Sequence, residues 1–334
     1  MNTLLIVEQN LKLCVSIKLK AINQCQIKAV YKTKSCLNLL KIIIMKTIYK
    51  MKNNDSESRF FTSIKLVVVT VLTLFASACS DDEACDYTTP TDTFPFSCDS
   101  GMDVAFLIDY TGSMGEAIEG IKSSISSIAT SIVTESGGDY RLSLSVFDEV
   151  TAGTIPSYNT QVGYTNLPTA QKQVITTGTT TDQYLTMMEP FATANQTTFS
   201  TQLANLNSAN MSLGSGNGFA EPGALLLDQI LNNNFSGSWR SGITKLVFII
   251  TDAPAGGDDD INTAIDDTFL NGLATQANLD NVQLVLVSTL ASSNYELELI
   301  NNNILGDKMI VPNFNNIAEN IITLIENICD GNEE

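Results

Sequence analysis

The sequence predicts an α/β fold, a doubly wound and mostly parallel sheet flanked by helices. Two apolar runs carry that reading. Val104-Ala105-Phe106-Leu107-Ile108 and Leu246-Val247-Phe248-Ile249-Ile250 each have the length of a strand buried on both faces. The first meets an acid at Asp109, the second at Asp252. The third observation is alternation. Segments with apolar residues at helical spacing lie between further strand-like runs, which points to strand–helix–strand crossovers. Such sheets bind ligands beyond the carboxyl ends of their strands, where both acids fall.

The chain opens with a different kind of segment. Residues 1–44 are rich in Lys, contain Cys14, Cys25 and Cys36, and show neither helix caps nor a clear period. Met45 and Met51 follow, and either would serve as a start, with 1–44 an upstream extension or a leader. Residues 45–78 read as a lipoprotein-type signal peptide. Arg59 and Lys65 precede the apolar run Leu66–Phe75, which is too short to span a bilayer. Ala76-Ser77-Ala78-Cys79 resembles a bacterial lipobox, making Cys79 the residue expected to carry lipid. Ser80-Asp81-Asp82-Glu83 resembles the acidic tag of some Gram-negative surface lipoproteins. Together they imply a lipid-anchored protein of the cell surface or outer membrane. The alternative is cleavage after Ala78 with secretion or a periplasmic location. Residues 79–101 are rich in Asp, Thr, Pro and Ser and read as a flexible acidic tether.

The folded domain is expected over residues 102–330. After the first strand, Ile118, Ile121, Ile125, Ile128 and Ile132 form one face of a helix that Gly137-Gly138 ends. Tyr140 to Phe147 alternates apolar residues with Ser, as a strand does. Residues 149–182, rich in Thr, Gly and Asn, read as an irregular insertion with short strands of its own. Tyr184–Phe191 is a weaker strand, and Gln196–Leu206 a helix. The Gly-rich loop Gly214–Gly218 leads through Glu221 and Pro222 to a helix over 224–231. Beyond the second apolar run come a helix over 261–277, a strand over 282–287, a helix near 295–302 and a strand near 308–311. A last helix over 315–328 shows Ile317, Ile321, Leu324 and Ile328 on one face.

Composition excludes several kinds of chemistry. There is no histidine, so a Ser-His-Asp triad, a Cys-His dyad and His-ligated zinc are ruled out. Of the 36 acidic residues 33 lie beyond Cys79, against six of the 18 basic ones. That balance argues against nucleic acid and anionic lipid surfaces as partners, leaving the lipid anchor as the contact with membrane. What remains is oxygen chemistry. Asp109, Thr111 and Ser113 are oxygen donors on one turn that Gly112 keeps tight. A hard divalent cation such as Mg²⁺ accepts few carboxylates, some hydroxyls and water. The bland alternative is a strand-to-helix turn with Ser113 as helix cap.

Asp109-Tyr110-Thr111-Gly112-Ser113-Met114 and Thr251-Asp252 resemble the metal-ion-dependent adhesion motif (MIDAS) of the von Willebrand factor A domain, a Rossmann-like fold. The resemblance covers residues 102–328. It implies one ion, Mg²⁺ with Mn²⁺ or Ca²⁺ as alternatives, held by Asp109, Thr111, Ser113 and Asp252. Glu221 is the fifth ligand by analogy with integrin β-like members, although Glu221 precedes Pro222 where they place Pro first. A neighbouring second site is half present: Glu116 matches, but Ala117 stands at its other acid, so no second ion is expected there. The resemblance further implies adhesion rather than catalysis, with a protein or glycan ligand whose acidic group completes the Mg²⁺ coordination. It also brings the domain's termini together, which pairs Cys98 with Cys329 and leaves Cys85 free or paired with Cys79. Asp148 reads as a strand-end acid and Asp258-Asp259-Asp260 as a solvated loop. Two alternatives stand: a structural domain of this type without metal, and a Mg²⁺-dependent phosphoryl-transfer enzyme of the haloacid dehalogenase type. The enzyme reading needs a second Asp where Thr111 stands, and a phosphate-binding Lys.

Overall fold

A computed structural model describes residues 97–176, 181–256, 261–315 and 317–330. The chain divides into Met1–Tyr87 and Thr88–Glu334, and all described residues belong to the second unit. The signal peptide, Cys79, most of the tether and Asp258–Asp260 lie outside them.

Strand β1 runs Met102–Asp109, helix α1 Ile118–Glu135, strand β2 Tyr140–Thr151, β3 Lys172–Thr176 and β4 Thr181–Thr193. Helices α2 (Gln196–Asn205) and α3 (Gly223–Asn232) precede β5 (Thr244–Thr251). Then come α4 (Ala264–Asp280), β6 (Gln283–Ser288), β7 (Asp307–Ile310) and α5 (Ala318–Asp330). Seven strands form one sheet in the order β3-β4-β2-β1-β5-β6-β7. β1 pairs in parallel with β2 and β5, and β6 in parallel with β5 and β7, while β4 is antiparallel to both β2 and β3. This is the expected doubly wound, mostly parallel α/β sheet.

β1 shows why both faces must be covered. All eight of its residues are buried. Val104, Phe106 and Ile108 join the core under α1, α2 and α5. Ala105 and Leu107 point the other way, into the core under α3 and α4. The parallel register sets Asp109 beside Phe147 of β2, and Ile108 beside Ile250 of β5. The chain ends of β1, β2 and β5 therefore reach one edge together.

Several boundaries differ from expectation. β2 continues four residues past Phe147, so Asp148 and Glu149 lie inside a strand that pairs with β4. The insertion supplies the end of β2, β3 and the first two residues of β4, with short helical turns before β3. It is docked: the Gly163 amide donates to the Asn210 carbonyl (2.7 Å), and Gln161 Nε2 to Ser212 Oγ (2.9 Å). Tyr158 is buried edge-on to Tyr110, 5.5 Å between ring centres. α4 starts three residues later than the apolar pattern suggested, because Thr263 and Asp266 form a reciprocal capping box. The segment near 295–302 is a π turn followed by a 3₁₀ turn. In α5 the buried residues are Ile321, Ile325 and Ile328, with Leu324 only partly covered. Cys98 and Cys329 are disulfide-bonded, with Cα atoms 5.1 Å apart across a separation of 231 residues.

Candidate functional site

The carboxyl ends of β1 and β5 bring Asp109 and Asp252 together, and the turn after β1 adds two hydroxyls. The extended Thr111 is followed by a 3₁₀ turn, Gly112–Glu116, which lifts Ser113 to the surface. A Cβ on Gly112 would stand 2.8 Å from the Ser215 carbonyl, so this turn and the Gly214–Gly218 loop fit together only without one.

The oxygens form a continuous arc. Thr111 Oγ1 donates to Asp109 Oδ1 at 2.6 Å, and Ser113 Oγ donates to Asp252 Oδ1 at 3.0 Å. Thr111 Oγ1 and Ser113 Oγ are 3.1 Å apart. Each hydroxyl carries one proton. With both protons given to the carboxylates, the 3.1 Å contact sets two lone-pair oxygens side by side. Asp109 is fully buried, accepts the Thr111 amide at 3.0 Å as well, and takes the Thr251 hydroxyl on Oδ2 at 2.7 Å.

Glu221 enters from the far side. Its backbone bridges the segment after β5: its amide donates to the Pro254 carbonyl (2.8 Å), and its carbonyl accepts the Gly256 amide (3.0 Å). Its carboxylate is buried, and Oε2 has no hydrogen-bond partner among the described residues. Gly216, at φ +64°, lies against both Thr111 and Glu221; a Cβ there would meet Thr111 Cβ at 3.0 Å and Glu221 Oε1 at 3.5 Å.

Two further acids line the site. Asp148 and Glu149 on β2 are fully buried and catch the Gly-rich loop by its amides. Gly216 N donates to Asp148 Oδ1 at 3.1 Å, and Asn217 N to Glu149 Oε1 at 3.0 Å. Gly214 is forced to be glycine, since a Cβ would fall 2.2 Å from Asp148 Oδ2.

The electrostatics follow from burial without a counter-charge. Burial raises the Asp109 carboxyl to about 6, against the three hydrogen bonds that favour its charged form. Burial raises Asp148 to about 7, with Asp109 adding repulsion. Glu221 is pushed up to about 10 by burial and then by the charges of Asp109, Glu149, Asp148 and Asp252. The six basic side chains beyond residue 96 are all engaged elsewhere. Lys122 pairs with Glu119, Arg141 and Arg240 with Asp103, and Lys308 with Glu296. Lys245 donates to the Asp280 carbonyl and Lys172 to the Thr165 carbonyl.

The structure thus brings Asp109, Thr111, Ser113 and Asp252 into one hydrogen-bonded arc and sets Glu221 in the same electrostatic cluster. No group of three or more Cys, Asp or Glu side chains among the described residues converges tightly enough to hold a metal by itself. The convergent set is mixed, hydroxyls with carboxylates, and its donors suit a hard cation. Glu116 is exposed and stands apart. Asp148, which sequence reasoning read as a strand-end acid, is a member it did not place here, and Thr251, Glu149 and Gly216 were legible only as parts of their motif and loops, without these bonds. The signal for Asp148 was present: it follows an alternating strand just as Asp109 and Asp252 follow apolar ones.

No family model matches the chain, and no curated protein does. Among solved structures it is similar to one described as the crystal structure of the SpRpn10 VWA domain. That match has 11% identity and a TM-score of 0.42, and covers 70% of this chain and 98% of the other.

Proposed function

We propose that this is a von Willebrand A-type binding domain that works through one divalent cation. The observation that carries the reading is the pair of hydroxyl oxygens of Thr111 and Ser113, 3.1 Å apart and set between the carboxylates of Asp109 (2.6 Å from Thr111 Oγ1) and Asp252 (3.0 Å from Ser113 Oγ). The oxygens that sequence reasoning assigned to a metal lie together, and no basic side chain among the described residues neutralises them. Asp109, Thr111, Ser113 and Asp252 would hold the ion, with Glu221 contributing its unpartnered carboxylate oxygen. Few carboxylates and two hydroxyls favour Mg²⁺ over Ca²⁺. When bound, the ion supplies a positive point at which a partner's acidic group can attach. Thr251 holds Asp109 in place from below, and Glu149 and Asp148 hold the Gly-rich loop that walls the site.

The phosphoryl-transfer alternative is disfavoured by the same geometry. Lys122, Lys172, Lys245 and Lys308 each bond a group away from Asp109, and Thr111 spends its hydroxyl on Asp109. The lipobox-like sequence at Cys79 supports display at the cell surface through lipid. Cys79→Ser should release the protein from membranes; retention of the variant there would reject the anchor.

Calorimetric titration with Mg²⁺ tests the metal. Binding by the wild-type protein that Asp109→Ala abolishes is the expected result. Equal heats for the two proteins, or none for the wild type, would overturn the reading.

A further inference from the structure

Two buried polar atoms around the start of α3 have no hydrogen-bond partner among the described residues. One is Glu221 Oε2, the other the hydroxyl oxygen of Tyr295. Tyr295 is fully buried and opens the π turn Tyr295–Leu299, a rare form of helix that is found often at functional sites. That turn is fixed to the segment that carries Glu221. Asn294, the residue before it, brackets Ala255 with its side-chain amide: Ala255 N donates to Asn294 Oδ1, and Asn294 Nδ2 donates to the Ala255 carbonyl, both at 2.9 Å. Ala255 in turn bridges to Glu221.

The Tyr295 side chain reaches the same region by a second route. A Cβ on Gly223, two residues after Glu221, would stand 2.4 Å from the Tyr295 oxygen and 2.8 Å from Phe147 Cζ. The strand register sets Phe147 beside Asp109. The Ala224 amide approaches the Tyr295 oxygen without meeting hydrogen-bond geometry. Burial first, then the charges of Asp109 and Glu221, hold the hydroxyl well above the usual tyrosine range, so it keeps its proton. A phenylalanine would fill the same apolar core without burying a polar atom. A hydroxyl held there without an acceptor costs stability, and the chain makes room for it by starting α3 on glycine. We propose that Tyr295 is a positioning residue for Glu221: with one Glu221 oxygen on the ion, the Tyr295 hydroxyl donates to the other and fixes the carboxylate's orientation. This rests on the cation reading above and adds to it a residue that does not itself touch the ion. A ligating carboxylate is held in place by donors to its free oxygen, and losing such a donor weakens metal binding about 10- to 100-fold.

The test is Tyr295→Phe, read in two ways on the whole protein. In chelator its thermal midpoint should equal or exceed that of the wild type, because the change deletes a buried hydroxyl that lacks a partner. Its Mg²⁺ affinity by calorimetry should be about tenfold weaker. A tyrosine with a merely structural role gives the opposite pairing, a lower midpoint in chelator with Mg²⁺ affinity unchanged. A double-mutant cycle then asks whether the effect passes through Glu221. In a Glu221→Ala background, titrated at millimolar Mg²⁺ so that the four remaining ligands still load, Tyr295→Phe should change affinity by less than about twofold. Equal Mg²⁺ affinity of the wild type and Tyr295→Phe, or a lower midpoint of the variant in chelator, would overturn the positioning role while the metal reading stands. A tenfold loss that persists without the Glu221 carboxylate would overturn Glu221 as the acceptor. Absent Mg²⁺ binding by the wild-type protein would instead defeat the metal reading, and the role of Tyr295 with it.

Discussion

The two ends of β1 carry the same residue in opposite company. Asp103, near the start of the strand, and Asp109, at its end, are both fully buried. Asp103 accepts from Arg141, from Arg240 Nε at 2.9 Å and from the Arg240 amide at 3.0 Å, while Arg240 reaches on to Asp139. Among the described residues Asp109 is hydrogen-bonded by hydroxyls and an amide, and three more carboxylates, Asp252, Asp148 and Glu221, interact with it by charge. A buried carboxylate that is matched by guanidinium groups holds the fold. One that is left without a cationic partner among the described residues, among others like it, costs stability and is a candidate for a functional role. The fold itself is held well enough to carry this cost, with two continuous cores and the Cys98–Cys329 link.

The contrast breaks most sharply if Asp103 is removed. Asp103→Ala leaves Arg141 without its ion-pair partner and Arg240 with Asp139 alone, and should cost ~3–5 kcal/mol of stability. Urea unfolding should show the same loss with Mg²⁺ and with chelator, because the proposed ion site lies at the other end of the strand. A loss that depended on Mg²⁺ would mean the two ends are coupled.

Asp109→Asn should do the reverse. Raising an acid from 3.8 to about 6 corresponds to ~3 kcal/mol held against the metal-free fold at neutral pH. Removing the charge should therefore stabilise the chelated protein by up to ~2 kcal/mol, allowing for hydrogen bonds that Asn satisfies less well. The same change should abolish stabilisation by Mg²⁺. Thermal midpoints in Mg²⁺ and in chelator would show the order of the two proteins exchanged. If the variant is less stable in both, Asp109 is structural after all.

A pH series sharpens the point without mutation. Folded Asp109, Asp148 and Glu221 keep their protons to about 6, 7 and 10, above the unfolded values of 3.8, 3.8 and 4.5. The folded state then binds more protons than the unfolded one, so stability falls as pH rises from about 4 through those values. Denaturant midpoints of the chelated protein should decline between pH 5 and pH 8 (about the window in which Asp109 and Asp148 ionise). Saturating Mg²⁺ should offset most of that decline by favouring the ionised ligands. A flat profile in chelator would show that the acids are better solvated than their burial implies.

Much of this arrangement was legible in the chain. The runs at Val104–Ile108 and Leu246–Ile250 are unbroken because both faces of β1 and β5 are covered, and each led directly to its acid. The pairing of Cys98 with Cys329 followed from a resemblance that places the termini together. What stayed hidden depends on contacts between distant segments. β2 keeps its strand form through Asp148 and Glu149 because β4 pairs with it and the Gly-rich loop donates to one oxygen of each carboxylate, and neither partner is local. The insertion read as irregular because its order comes from docking on Asn210 and Ser212. Thr251 was visible only as the neighbour of Asp252, and its bond to Asp109 exists because β1 and β5 run side by side.

The smallest change tests how closely the site is built. Gly216 has a left-handed backbone, which glycine adopts without strain. Its α-carbon faces Thr111 and the carboxylate of Glu221, and its amide holds Asp148. Gly216→Ala would bring a methyl to 3.0 Å from Thr111 Cβ, closer than side chains settle, and to 3.5 Å from Glu221 Oε1, an ordinary contact. The strain of a non-glycine residue at this φ is about 1 kcal/mol and should appear as a modest drop in stability with or without metal. If Thr111 is a ligand as proposed, the push on it should be read separately, as roughly a tenfold weaker Mg²⁺ affinity by calorimetry, because displacing its oxygen by a few tenths of an ångström would strain the near-octahedral geometry Mg²⁺ demands. Ca²⁺, which tolerates longer and less regular bonds, should lose less. Equal losses for the two ions would show that Gly216 shapes the loop but not the ligand set, whereas a loss confined to Mg²⁺ would locate Thr111 among the atoms that hold it.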